Sequence, residues 1–448
     1  MKIGQALKNI YQNLFFSPLF YWIWGILIIF IFLGYWHPLF YVTGKYLWLI
    51  FILLSFFDFI YLLTAGKLEA QRVLPSIMSN GDENTIQINV KNSYPLAVHL
   101  KIIDELPVQF QKRDFALNLS LKGGEKQTIN YQLKPVKRGE YFFGHLNVFA
   151  QSPLKLVNRR WRTGQPAKTK VYPSFLQMRQ YELIAFANKS QYGLKKIRRL
   201  GHTMEFEQIK TYQKGDDYRT INWKATAKHQ KLMVNQYQDE KSQNIYSLLD
   251  MGRQMALPFE GMTLLDYAIN SSLALSNIAL KKKDKVGLLS FEKRIHSFIK
   301  PNSGRQQLHQ IFENLYAQNT GFLETDYEYL YYFVRKNIPT RSLLMLYTNF
   351  EHFNSLKRQL PFLKKMAGKH LLVVIIFKNT ELQSLLDKPA KSKPRIYHKI
   401  IAQDFENQKK KMVKILKKHK IHTIYTSPEH LTANSISKYL ELKSRGVI

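Results

Sequence analysis

Two almost wholly apolar runs near the start of the chain, Phe15 to Leu33 and Tyr46 to Leu63, constrain its fold more than any other feature. Each is close to the ~20 residues that a helix needs to cross ~30 Å of hydrocarbon. The chain is therefore read as opening with two transmembrane helices, at about 15–33 and 46–63, inside an anchor of residues 1–68. Two spans in succession, with no small-residue cleavage site between them, argue against a cleaved signal peptide. Tyr35, Trp36, Tyr41, Tyr46 and Trp48 fall near the span ends, where amphipathic rings prefer to lie, while Trp22 and Trp24 sit deeper. Asp58 is a carboxylate inside the second run, and its place near one end predicts that it reaches the membrane interface.

Lys2 and Lys8 precede the first run, Lys45 lies between the runs, and Lys67 and Arg72 follow the second. By the positive-inside rule both termini and the soluble domains lie on the cytoplasmic side of a cytoplasmic (inner) membrane. The 448 residues leave enough chain after the anchor for two ordinary domains with their own cores. There is no cysteine, which excludes disulfides, thiolate nucleophiles and zinc–thiolate sites. The formal net charge is +34. Such an excess calls for an acidic partner, nucleic acid or an anionic leaflet, and for an anchored protein the anionic lipid surface is the simplest of the three. Basic clusters at Lys195–Arg199, Lys281–Lys285 and Lys409–Lys420 read as solvated faces, and no nucleic acid partner is expected because no nucleic-acid-binding signature accompanies the charge.

From Glu69 to Pro173 the segments TIQINVKN, AVHLKIIDEL, KQTINYQLKP and YFFGHLNVFA alternate apolar and polar residues at the period of half-buried strands. Turn signals at Asn80-Gly81-Asp82 and Gly123-Gly124 separate them, so residues 69–173 are expected to close as an antiparallel β-sandwich. In Arg138-Gly139-Glu140-Tyr141, Gly139 is expected to supply a special backbone conformation.

From 241 to 448, short apolar runs (NIYSLLD, KVGLLSF, SLLMLYTN, KHLLVVIIF, HTIYTS) alternate with helical patterns near 263–280, 306–316, 326–335, 354–367 and 405–418. That order predicts a doubly wound, Rossmann-like α/β domain and makes the chain a multidomain α+β protein. Asp250 ends the first strand and Asn349 the third, so both are expected on the rim where such sheets meet ligands.

Between these domains, residues 174–240 form a linker that carries the polar motif EFEQIKTYQKGDDYRTINWKATAK. Gly215-Asp216-Asp217 is a turn signal that also offers a carboxylate N-cap to a following helical turn. Tyr218, Ile221, Trp223 and Ala225 are expected to bury. Glu205, Glu207, Asp216 and Asp217 against Lys210, Arg219 and Lys224 are expected to form a charged network, which serves either as a docking surface or as a clasp between domains.

This motif resembles the signature of the domain of unknown function 58 family, matching at Glu205, Phe206, Tyr212, Gly215, Asp216, Arg219, Ile221, Trp223, Lys224, Thr226, Ala227 and Lys228. Lys210 stands where many relatives have arginine. The third region resembles a von Willebrand factor A domain, in which a DxSxS loop, a threonine and a later aspartate hold a divalent cation. Here the two hydroxyl positions are Gly252 and Gln254, the loop Pro301–Arg305 offers no clear threonine, and the later acid is Asn349. Asp250 and Asn349 are thus weak candidates for Mg²⁺, and Asp250 is expected instead to cap a helix or pair with an arginine such as Arg253 or Arg305.

The resemblance implies a non-enzymatic membrane adaptor that works with a MoxR-type AAA+ ATPase and its client proteins, in protein remodelling or envelope and stress physiology. The chain has no phosphate-binding G-x(4)-GK-(S/T) loop, so any ATP hydrolysis belongs to that partner. Protein-interaction candidates are Glu205, Phe206, Tyr212, Gly215, Asp216, Asp217, Arg219, Trp223, Lys224 and Asp250. A metal-dependent adhesion module is the alternative, with lipid or nucleic-acid binding behind it. An enzyme is not expected: there is no HExxH pair or G-x-S-x-G elbow, and His202 and His229 have no nucleophile or metal to serve.

Overall fold

A computed structural model describes residues 13–187, 204–214, 216–239, 242–387 and 393–447. Gly215, His202 and the cluster at 195–199 lie outside them. The chain divides into two compact units, Met1–Tyr172 and Pro173–Ile448.

The first unit opens with a strand, β1 (Leu14–Phe16), followed by the apolar helices α1 (Pro18–Phe32) and α2 (Pro38–Thr64). The first apolar run therefore does not begin as a helix. Leu14–Phe16 pair antiparallel with residues 157–159, and Ser17 ends the strand: its backbone N–H donates to the Leu156 carbonyl (2.9 Å) and its hydroxyl to that of Lys155 (2.5 Å). The second helix begins at Pro38, earlier than expected, because proline is well suited to a first turn. α1 with the 3₁₀ turn that continues it to Tyr35, and α2, are long and apolar enough to cross a membrane, and much of their surface is exposed apolar side chain.

Asp58, near the end of α2, is only 2% exposed, and its Oδ2 accepts the Val157 N–H at 3.2 Å. The end of α2 is held by Tyr94 and by Arg159, two residues after Val157. The Tyr94 hydroxyl donates to the Leu62 carbonyl (2.9 Å), and the Arg159 guanidinium donates to the carbonyls of Leu62 and Leu63. A cation on the last carbonyls of a helix also complements its dipole.

Ten further strands complete this unit: β2 (Leu68–Val73), β3 (Ile77–Ser79), β4 (Asn84–Asn92), β5 (Val98–Asp104), β6 (Ala116–Leu121), β7 (Lys126–Leu133), β8 (Gly139–Phe143), β9 (Leu146–Gln151), β10 (Val157–Thr163) and β11 (Ala167–Tyr172). They form sheets ordered β1-β10-β9-β5-β6, β2-β4-β7 and β3-β11-β8. All pairs are antiparallel except β3 with β11, which corrects the purely antiparallel expectation. The alternation is clear in β4, where Ile86, Ile88 and Val90 are buried between exposed neighbours and join the core of this unit. Gly139 has φ +124°, a conformation that side chains disfavour. Inside this core Asp104 accepts from the Arg72 guanidinium and from the Tyr131 hydroxyl (2.5 Å), and Arg72 also donates to the Gly144 carbonyl at 2.9 Å. A buried ion pair needs such additional hydrogen bonds to offset its desolvation.

The second unit begins with α3 (Phe175–Ala187), in a stretch expected to be linker. Next comes a hairpin of β12 (Met204–Thr211) and β13 (Met233–Asp239), with the short helix α4 (Trp223–His229) between its strands. The α/β part comprises β14 (Asn244–Asp250), β15 (Pro258–Phe259), β16 (Met262–Thr263), α5 (Leu264–Lys281), β17 (Lys285–Phe291), β18 (Ile295–Asn302), α6 (Arg305–Tyr316), α7 (Tyr327–Asn337), β19 (Leu343–Tyr347), α8 (Phe353–Lys369), β20 (Leu371–Phe377), α9 (Thr380–Asp387), α10 (Lys393–Lys418), β21 (His422–Thr426) and α11 (Leu431–Ser444).

Its six-stranded sheet runs β18-β17-β14-β19-β20-β21, parallel throughout except for the edge strand β18. Residues of β14 alternate between its faces. Ile245 and Leu249 join a core with α5, α6 and α11, and Tyr246 and Leu248 join one with α7, α8 and α10. β17 lies on one side of β14 and β19 on the other, so the order reverses beside β14. Crevices at such reversals are where open α/β sheets bind ligands. At the opposite end of the sheet Asp284, nearly fully buried, accepts from Tyr439 (2.5 Å) and Lys443 (2.6 Å) of α11 and from the Gln243 N–H (3.0 Å).

Candidate functional site

Between β12 and β13 the polar motif folds into a hydrogen-bonded knot. Asp216 accepts from the Lys210 ammonium at 2.7 Å and from the Gln213 N–H at 2.9 Å. Asp217 caps a 3₁₀ turn at Tyr218–Thr220, accepting from the Arg219 N–H at 3.0 Å. Asn222 caps α4 through the Ala225 N–H (3.0 Å) and reaches Asn235 across the hairpin (2.8 Å). Thr226 accepts the Met233 N–H (3.0 Å), and the Tyr212 N–H donates to the Leu232 carbonyl (2.7 Å). Among the described residues the expected charged network comprises the Lys210–Asp216 ion pair and the Asp217 cap, with Arg219 and Lys224 exposed, and the side chains of Glu205 and Glu207 lie outside them. Glu205 and Phe206 lie on β12, and their side chains are outside the described residues.

Tyr218 and Trp223 were expected to bury, yet they are 68% and 70% exposed. Hydrogen bonds from backbone N–H groups to the Asp216, Asp217, Asn222 and Thr226 side chains hold the knot, so its aromatic side chains are not needed for packing within it. The Arg219 guanidinium lies 5.7 Å from the Tyr218 ring. Tyr218, Arg219, Trp223 and Lys224 are thus all exposed on the knot.

Asp250 lies elsewhere, at the carboxyl end of β14, and among the described residues it neither caps a helix nor pairs with an arginine. Its Oδ1 accepts from the Gly252 N–H (2.9 Å) and the Thr325 hydroxyl (2.6 Å), and its Oδ2 from the hydroxyls of Thr348 (2.7 Å) and Tyr327 (2.9 Å). Burial pushes the carboxyl above its ordinary range, and these four bonds oppose that shift. Burial, with the Asp250 charge beside it, holds the Tyr327 phenol well above 10. The Tyr327 and Thr348 hydroxyls also lie 2.6 Å apart and have one proton each, so they share Asp250 Oδ2 and each other in one closed hydrogen-bond cluster that anchors the rim.

The residues missing from the sequence reading are Thr325, Tyr327 and Thr348. Thr325 precedes α7 and Thr348 precedes Asn349, so neither lies in the loop at 301–305. Gly252 explains the departure from a hydroxyl at its position: a Cβ there would stand 2.1 Å from the Thr325 hydroxyl oxygen. Thr325 takes the place that a longer side chain would fill.

A cleft opens over this cluster, lined by Arg253, Gln254, Glu324, Phe350, Arg358 and Gln359, among others. The buried Asp250 carboxylate, already hydrogen-bonded on both oxygens, two threonine hydroxyls and the exposed Glu324, in a cleft that two arginines also line, are a poor donor set for a divalent cation. Asn349 is engaged elsewhere: its Oδ1 accepts the Lys409 ammonium at 2.7 Å. Among the described residues no three His, Cys, Asp or Glu side chains are grouped as a metal site would require. Arginines with neighbouring amides instead suit a carboxylate or another planar anion.

Residues 208–388, which include most of the hairpin and the Asp250 rim, match the family model described as "Protein of unknown function DUF58". The uncharacterized protein YeaD of Bacillus subtilis (strain 168) is 23% identical over 176 residues, 38% of this chain, and the chain spans 44% of that relative's length. Among solved structures, the CARDB domain of the PF1109 protein from Pyrococcus furiosus is 12% identical at a TM-score of 0.17, covering 24% of this chain and 90% of that one. The ASH/PapD-like domain 7 of human CEP192 is 15% identical at a TM-score of 0.17, covering 22% and 85%. Similarity at this level defines neither fold nor function.

Proposed function

We propose that this protein is a membrane-anchored, non-enzymatic adaptor. In this reading α1 and α2 span the cytoplasmic membrane, the strands of the first unit form a β-sandwich, and the α/β part of the second is a von Willebrand factor A-like domain facing the cytoplasm. The partner that the family resemblance implies is a MoxR-type AAA+ ATPase, with its client proteins.

The observation that carries the reading is the exposure of Tyr218, Arg219 and Trp223 on a knot whose backbone N–H groups are capped by the Asp217 and Asn222 side chains. Exposed aromatic rings with arginine on a rigid support are the composition of an interface hot spot. The Arg253–Arg358 cleft adds a place for an acidic group of the partner. Affinity purification of the full chain from its native membranes, with crosslinking, tests the proposal. An Arg219→Glu or Trp223→Ala variant is expected to lose the bound ATPase, with affinity weakened by roughly tenfold or more. Equal recovery with wild type and both variants, or no ATPase with any of them, would remove the adaptor reading.

A further inference from the structure

Beside the foot of α1, one face of the five-stranded sheet in the first unit is polar and open. Its register places Phe15, Asn158, Gln151, His99 and Ser120 in one row across β1, β10, β9, β5 and β6, and Arg160, Phe149, Lys101 and Asn118 in the next. Residues in such a row share one face, about 5 Å apart from strand to strand. A groove of about 580 Å³ follows these rows, and Lys155 lines it with them. Lys155 belongs to the turn between β9 and β10, and its carbonyl accepts the Ser17 hydroxyl at 2.5 Å, one residue before α1. His99 is tied to Ser120, its Nδ1 lying 2.5 Å from the hydroxyl. Phe16 and Pro18, on either side of Ser17 in the chain, line a second groove with Tyr21 and Trp22.

Lys101 and Lys155 are exposed, and among the described residues no carboxylate lines the first groove. Asp58 and Asp104 are buried. Glu105 and Asp114 lie past the strand ends away from α1, where Glu105 accepts from Asn147 (2.8 Å) and from the His145 N–H (2.9 Å). Glu125 accepts the Lys122 N–H at 2.7 Å.

We propose that the two grooves together hold one anionic phospholipid. Its phosphate lies on Lys101 and Lys155, its headgroup hydroxyls meet His99, Asn118 and Asn158, and an acyl chain runs against Tyr21 and Trp22. Two ammonium groups with amides beside them, and no acid in the groove, select a phosphate over a neutral or cationic group. The aromatic groove one residue from Ser17 separates a lipid from a free phosphate, which would have no use for it. Position favours the same occupant, because headgroups lie at the level where a spanning helix begins, and basic pockets there bind them. The inference rests on the reading that α1 and α2 span a membrane, and it adds a lipid site to the adaptor.

Native mass spectrometry of the full-length protein in detergent, with phosphatidylglycerol and phosphatidylcholine added in equal amounts, tests the site by counting retained lipid. The expected result is retention of phosphatidylglycerol in preference to phosphatidylcholine. Lys101→Gln combined with Lys155→Asn is expected to lower that preference by on the order of tenfold or more. Asparagine is chosen at 155 because the backbone there has φ +57°. Lys126→Gln with Lys134→Gln removes as much charge from exposed positions on and after β7, in another sheet, and is expected to leave the preference unchanged. Millimolar inorganic phosphate is expected not to displace the lipid. Displacement would make the groove a site for soluble anions and overturn the inference. Equal retention of the two lipids by wild type, or equal loss of preference in both double variants, would overturn it as well. Protein that leaves its membranes without detergent overturns the membrane reading with it, whereas protein that needs detergent and shows no lipid preference overturns this inference alone.

Discussion

At Lys409 an ammonium group is held where water reaches it poorly, donating to Asn349 at 2.7 Å and to the Phe350 carbonyl at 2.5 Å. Burial lowers its pKa from 10.5 to about 8, against the pull of Glu351 and Glu406. A lysine whose folded pKa is depressed leaves the unfolded chain holding more protons between pH 8 and 10.5. Its penalty is therefore full below about pH 8, and stability rises with pH across that window. The thermal stability of wild type, measured against Lys409→Met from pH 7 to 10.5, is expected to gain at most about 3 kcal/mol on the variant. No gain would mean that the ammonium is solvated. Asn349 could be placed on the rim from its strand alone, but the cation that occupies it comes from a helix 60 residues later, and no local pattern announces that contact. Asp250 was legible in the same partial way. Its strand predicted where it stands, while its partners Thr325 and Thr348 are 75 and 98 residues away.

Among the elements, α5 was the most legible, because its apolar spacing and its cap lie within one stretch of sequence. Thr263 and Asp266 form a reciprocal capping box: the Thr263 hydroxyl accepts the Asp266 N–H at 3.2 Å and Asp266 accepts the Thr263 N–H at 3.0 Å. Thr263→Ala is expected to cost about 1 kcal/mol, read as a lower thermal midpoint of the full chain. An unchanged midpoint would show that the burial of α5 holds its first turn without the cap. β18 escaped the reading because an edge strand is half-solvated, and it ends on Pro301 and Asn302, residues that fit an edge and weaken the strand signal. The first turns of α10 escaped for a different reason. Their apolar residues face outward, so a search for a core-facing stripe passes over them. Tyr218 and Trp223 reverse that error, since large rings read as core until the backbone around them is seen to be satisfied.

For the whole molecule, topology is the first quantity to measure. Phe322 is exposed in the second unit, and a Phe322→Cys variant is expected to react with an impermeant maleimide in inverted membrane vesicles and not in intact cells. Labelling from the outside would place this unit across the membrane from the assigned side. Sequence alone determined the features that local pattern dictates: two apolar helices near the N-terminus, strands where alternation is strict, parallel strands where apolar runs are continuous, and an aspartate at the end of the first of these. Those features depend on neighbours within a few residues, as hydrogen-bonding geometry and side-chain period do. Tertiary structure decided the rest. It paired Leu14–Phe16 with residues 157–159, set Asp58 on the Val157 N–H, closed Arg72 on Asp104, and brought Tyr439 and Lys443 to Asp284. Buried polar groups must find partners wherever the fold supplies them, and these partners are 32 to 159 residues distant, beyond the reach of any local period.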